Sequence, residues 1–198
     1  QALTSSIRTN DLAFIHSLLF SPAISPSSPS TLYPMSAPVL VNLPDARGWS
    51  LLHYALSVTS PSLDLLDSLY FAGADLSLFT TNEEWTPLHV LAQNQKLDAD
   101  DHAIYDLVVH LIRDLRAPLP ALDKNDETCI HIAAERGVSF ELLACLLDMD
   151  KTGGVRKLRN SRGYVLPLHS WACIEAHNSF LRLTAMQVAK PEFLSAFG

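Results

Sequence analysis

One landmark recurs along the chain and limits what it can fold into: a small or polar residue, two or three apolar residues, then His. It reads SLLHYA at 50–55, TPLHVLA at 86–92, TCIHIAA at 128–134 and LPLHSWA at 166–172, so the histidines lie 36, 42 and 38 residues apart. A polar turn precedes each copy: DARGW, TNEEW, DKNDE and NSRGY. An apolar run follows each of the first three: LDLLDSLYFAGAD, AIYDLVVHLI and FELLACLL. Leu65, Leu66 and Leu69 fall on one helical stripe, as do Leu107, Val108 and Leu111, and Leu142, Leu143 and Leu146. A unit of about 33 residues with two short amphipathic helices cannot bury its apolar faces alone, so such units must stack.

These residues resemble the ankyrin repeat family, whose pattern runs roughly D-x-x-G-x-T-P-L-H-x-A-A, a second helix with V-x-x-L-L, then G-A-D. TPLH is intact at Thr86–His89, GAD at Gly73–Asp75 and DxxG at Asp45–Gly48, and AAERG at 133–137 matches the end of a first helix. The resemblance covers nearly the whole chain. It implies an all-α solenoid of about five stacked helix-turn-helix repeats with loop insertions. Residues 1–20 read as an N-terminal capping repeat, with Thr4 in place of the His and Asn10 in place of the turn glycine. Residues 21–44, with six prolines and six serines, read as an irregular loop. Repeats follow at 45–80, 81–122 (lengthened at 95–102) and 123–157. Residues 149–156 lengthen the link to a degenerate C-terminal part at 158–198. LTAMQVA at 183–189 also fits the start of a repeat but lies only 18 residues past His169, and the register there stays open.

Catalytic and metal chemistry find little support in the sequence. GxSxG, HExxH, GxGxxG and phosphate-cradling glycine loops are absent, so the chain is read as a non-enzyme without cofactor or metal. Four histidines one repeat apart would be strung along the stack at intervals of about 10 Å. One zinc ion needs its ligands at about 2.0–2.1 Å, so they cannot share it. The resemblance implies that they hydrogen-bond backbone groups between neighbouring turns. LDADDH at 97–102 looks like half of a calcium loop but lacks the glycine and the closing acid. Cys145, within ELLACLL, reads as core.

Two surfaces are candidates for binding. The residues just before the Thr or Ser position of the four landmarks are Trp49, Trp85, Glu127 and Tyr164, and stacking aligns them in one row. The resemblance implies that this turn position projects and touches partners, and aromatic anchors suit interfaces. The alternative is that these residues pack on the next repeat. Arg47, Glu83, Lys124 and Arg162 in the turns share the same concave face. So do Gln93, Asn94, Glu135 and Arg136 at the ends of first helices. The expected partner is another protein or a peptide segment.

The second surface is basic. Net charge is −7, which disfavours DNA. The charge is divided, however: residues 1–150 carry 19 acids and 7 bases, and residues 151–198 carry 2 acids and 7 bases. Lys151, Arg156, Lys157 and Arg159, with Arg162, form a run without an acid that suits an acidic partner, an anionic lipid headgroup or RNA. Ser21-Pro22, Ser25-Pro26 and Ser28-Pro29 suit proline-directed kinases. Three cysteines without CxxC spacing, no leader-like N-terminus and no long apolar stretch suggest an intracellular piece of a longer protein, in the cytoplasm or the nucleus.

Overall fold

Ser50 and Thr86 each end an extended segment and cap a helix, and the His three residues on completes the cap. The Nδ1 of His53 accepts the Ser50 N–H at 3.0 Å and lies 2.8 Å from Ser50 Oγ. His89 does the same with Thr86, at 3.1 and 2.8 Å, and His131 with Thr128, at 3.2 and 2.8 Å. The recurring landmark is therefore a capping box in which an imidazole replaces the usual carboxylate, satisfying a backbone donor that the helix itself cannot pair. Pro87 adds a pre-set φ in the first turn of its helix.

The computed structural model describes residues 2–19, 37–94, 101–136 and 139–163. Among them are nine α-helices and no strands. They are α1 (Ala2–Arg8), α2 (Leu12–Leu19), α3 (Ala37–Asn42), α4 (Leu51–Leu56), α5 (Leu63–Phe71), α6 (Pro87–Gln93), α7 (Asp101–Val109), α8 (Cys129–Arg136) and α9 (Phe140–Met149). A π-helical turn, His110–Asp114, prolongs α7, and a 3₁₀ turn spans Val155–Lys157. No helix among the described residues is long and apolar enough to cross a membrane.

The helices pair and stack. α1 packs on α2, α4 on α5 and α8 on α9 as hairpins, while α1, α4, α6 and α8 contact one another in succession as one row. α7 packs on α9 in the second row. All nine residues of the three leucine-rich stripes are buried, within one apolar cluster that runs from Ile7 to Leu147. At about 25 cal/mol per Å² this shared apolar burial is the main force holding the rows together.

The first hairpin turns where the sequence places it, with Asn10 taking φ +54° in the glycine position. Gly73, at φ +93°, closes α5: its N–H reaches Tyr70 O, and the Ala74 N–H reaches back to Leu69 O at 2.9 Å. One expectation is corrected. The irregular loop assigned to 21–44 contains α3 at its end, where Val41 is fully buried. Asn42 then ties α3 to the turn after α5, donating to Gly73 O and accepting the Asp75 N–H. The proline-rich composition hid a short apolar run, APVLVN, in which the proline stands in the first helical turn and breaks nothing. The Ser-Pro dipeptides, most of the 95–102 insertion and the 166–172 landmark lie outside the described residues.

Candidate functional site

The polar turns that precede the landmarks share one design. Asp45 accepts the N–H groups of Arg47 and Trp49 on Oδ1, and its own N–H reaches Trp49 O. Asp123 repeats this with Asn125 and Glu127. Thr80 Oγ1 accepts the Trp85 N–H in a turn one residue longer, and Asn160 Oδ1 accepts the Arg162 N–H. Each turn closes on a left-handed residue: Gly48, Glu84, Asp126 and Gly163. Backbone bonds join the turns into a ladder, Thr81 N to Arg47 O, Lys124 N to Glu83 O and Ser161 N to Asn125 O.

The histidines brace the same seam from inside. His53 Nε2 lies 2.9 Å from Trp85 O, and His89 Nε2 lies 3.0 Å from Glu127 O. Since Nδ1 accepts the capping N–H, the ring proton sits on Nε2 and points to that carbonyl. Burial lowers the pKa of both rings, which outweighs the carbonyl contacts that favour charge.

Five of the predicted contact residues meet in one place. Arg47, Trp49, Trp85, Gln93 and Asn94 line a cleft of about 880 Å³. Its far wall comes from the end of α1 and the turn after it, including Arg8 and Asn10, and from the α4–α5 loop, Ser57–Ser62. Trp49 and Trp85 are neither projecting nor fully buried. Both are half-buried against the core, so contact and packing are combined in the same rings. Trp49 tilts against Tyr54 with ring centroids 5.1 Å apart, and the Arg47 guanidinium lies 5.2 Å from the Trp49 ring centre. Trp85 Nε1 donates to Asp123 Oδ2 at 3.2 Å, which anchors its indole to the next turn.

Tyr54 organises the charged end. Its hydroxyl donates to Asp45 Oδ2 at 2.6 Å and accepts from Arg47 Nη2 at 3.3 Å. The Arg8 guanidinium stands 5.2 Å from the centre of the Tyr54 ring. Burial opposes the charge of Asp45, but hydrogen bonds from Tyr54, Trp49 and Arg47 outweigh it and hold its carboxyl below the ordinary range. Asn94 is corrected in role: it is buried, and its amide donates to Leu56 O and Val58 O, shaping the cleft wall rather than facing a partner.

The remaining predicted contacts form separate pairs. Lys124 pairs with Glu83 across neighbouring turns and donates to Asn82 O. Glu127, expected to project, is buried and held by Asn160 and Arg162, and Arg162 also reaches Glu135 at 3.2 Å. A charged residue fits there because Arg162 neutralises it on site. The Arg136 side chain and Tyr164 lie outside the described residues.

The basic run is also corrected. Arg156 is not available to an anion: it is mostly buried and donates to Asp150 Oδ2, Asp150 O and Leu147 O. The run has no acid within it, but Asp150 stands just before it. Burial raises the pKa of Asp150, yet hydrogen bonds from Arg156 more than reverse this and lower it. Lys151, Lys157 and Arg159 remain exposed.

Cys129 is buried, which pushes its thiol up to about 12, and Cys145 is buried in the core of α9. Sequence reasoning missed Arg8, Asn10, Tyr54 and the 57–62 loop as parts of the cleft. Tyr54 follows the landmark His directly, and that adjacency was the available signal. No protein-family model matches the chain, and no curated protein matches it.

Proposed function

We propose that this chain is an ankyrin-repeat interaction module, working inside the cell, that binds a protein or peptide partner in the cleft between its first three helical units and does no chemistry of its own. The convergence of Arg47, Trp49, Trp85 and Gln93, spread over 47 positions of sequence from 47 to 93, carries this reading. The capping histidines, the linked turns and the hairpin stacking support the repeat assignment. Stacked units offer a preformed concave surface, so a partner binds without ordering the receptor first. Half-buried tryptophans beside a guanidinium are the side chains that anchor interfaces best.

The anionic-ligand reading of the 151–162 segment is left with three exposed cations, Lys151, Lys157 and Arg159, since Arg156 and Arg162 are taken up by Asp150, Glu127 and Glu135. Site-directed photo-crosslinking separates the two. A crosslinking residue at exposed Thr59, on the cleft wall, should capture a protein partner, and one at Lys157 should not. Capture from position 157 alone would transfer the function to the basic segment.

A further inference from the structure

The cleft has a charge that the chain as a whole does not. Arg8 and Arg47 line it and no carboxylate does, on a chain of net charge −7. The two guanidiniums converge on one side chain, Tyr54, Arg8 over its ring and Arg47 at its hydroxyl. Arg8 is exposed and has no carboxylate partner among the described residues. Arg47 has one, Asp45, at 3.8 Å, too far for a hydrogen bond, and Asp45 is already engaged by Tyr54 and two backbone N–H groups. With Asp45 set against Arg47, the two arginines leave one net positive charge at the end of an otherwise uncharged cleft.

The rest of the wall is amphipathic. Trp49, Trp85 and Val90 give apolar surface, and the 57–62 loop gives hydroxyls. Gln93 contributes a side-chain carbonyl oxygen that is buried without a hydrogen-bond partner among the described residues.

We infer that the cleft selects an acidic peptide segment of its partner. An Asp or Glu carboxylate would lie between Arg8 and Arg47, and a neighbouring large apolar side chain against Trp49 and Trp85. This rests on the interaction-module reading and adds the partner's chemistry. Charge complementarity is the ground for it: two arginines that converge on Tyr54 favour a carboxylate through charge-assisted bonds, whereas a basic or neutral segment would leave Arg8 uncompensated.

The test is selection of a display library of short random peptides on the full chain, followed by affinity measurement of the selected peptides by fluorescence polarisation. Selected peptides should carry an acid at a fixed spacing from a large apolar residue. Arg8→Gln/Arg47→Gln should weaken them by about tenfold, and replacing the peptide's acid by its amide should weaken them equally. Arg8→Glu/Arg47→Glu should abolish binding while circular dichroism shows the helical fold retained, since both side chains are exposed. Peptides that lose binding with Trp49→Leu, carry no excess of acid and ignore the arginine variants would overturn the acidic-partner inference and leave the module reading standing. Recovery of no binder, or of binders indifferent to Trp49→Leu and to the arginines alike, would overturn both.

Discussion

Replacing His89 separates the two roles of its ring. His89→Ala removes the acceptor for the buried Thr86 N–H, the contact with Thr86 Oγ and the donor to Glu127 O. Leaving the Thr86 N–H unsatisfied costs about 1–3 kcal/mol, and losing the bond to Glu127 costs about 1 kcal/mol, since that carbonyl keeps the Asp123 N–H. The lost ring volume adds about 1 kcal/mol, for a total of about 4 kcal/mol. His89→Asn keeps an oxygen where Nδ1 stood but cannot span to Glu127, so it should cost about 1–2 kcal/mol. Against a typical stability of 5–15 kcal/mol, both losses are measurable by urea unfolding followed by tryptophan fluorescence at neutral pH.

The same variants test the protonation state. The folded pKa of His89 is lowered, so its contribution is complete above the unfolded value of about 6.5 and is lost as pH falls through the folded value. Wild-type stability should therefore decline between about pH 7 and pH 5 more steeply than that of His89→Asn. A loss under about 1 kcal/mol for His89→Ala would refute the cap-and-bridge account. So would equal pH slopes for the two proteins.

Three further outcomes follow from named contacts. Gly48→Ala places a Cβ 2.3 Å from Thr81 N at φ +79°, so it should cost about 2 kcal/mol or more and cut the Thr81–Arg47 rung, read by unfolding and by amide exchange at Thr81. Arg156→Ala strands a carboxylate whose side chain is 2% exposed and should destabilise by about 3 kcal/mol, while Lys157→Ala, at an exposed site, should stay within about 0.5 kcal/mol. Burial opposes the charge of His110, but hydrogen bonds to Asp114 and Asp67 outweigh it and raise its pKa. Asp67→Asn should lower that pKa in an NMR titration and shrink a contribution that is complete below about pH 6.5 and fades as pH rises through the folded value.

Much of the fold was legible because its local signals agree. Cap residue, His, apolar stripe and glycine all fall at the spacing of one hairpin, and the structure places Ser50, His53, Leu65 and Gly73 accordingly. The signals failed where composition masked a short pattern, as in α3, and where pairing partners lay outside a motif. Asp150 precedes the basic run it neutralises, and Asn160 and Arg162 reach back to Glu127 over 33 and 35 residues. No periodicity encodes such contacts. The π-helical turn at His110–Asp114 was equally invisible. It arises where Leu115 and Ala117 find carbonyls outside the regular helix pattern, and it brings His110 to Asp67 of the preceding unit.

The division between landmark and variable positions also explains why the candidate site was harder to read than the scaffold. The ladder between turns uses main-chain atoms of Arg47, Thr81, Glu83 and Lys124, so their side chains do not set the stacking register. Aromatic, acidic and basic residues can occupy these places without loss of the fold. The side chains that do set it, Ser50, His53, Thr86 and His89, face inward and are buried. A repeat pattern therefore specifies the scaffold and leaves the cleft to positions it does not constrain. Arg8 belongs to the first unit, where no landmark His marks the register, and it reaches the Tyr54 ring because α1 packs on α4. The charge of the cleft is thus a property of stacking two units, and it is absent from either unit's sequence taken alone.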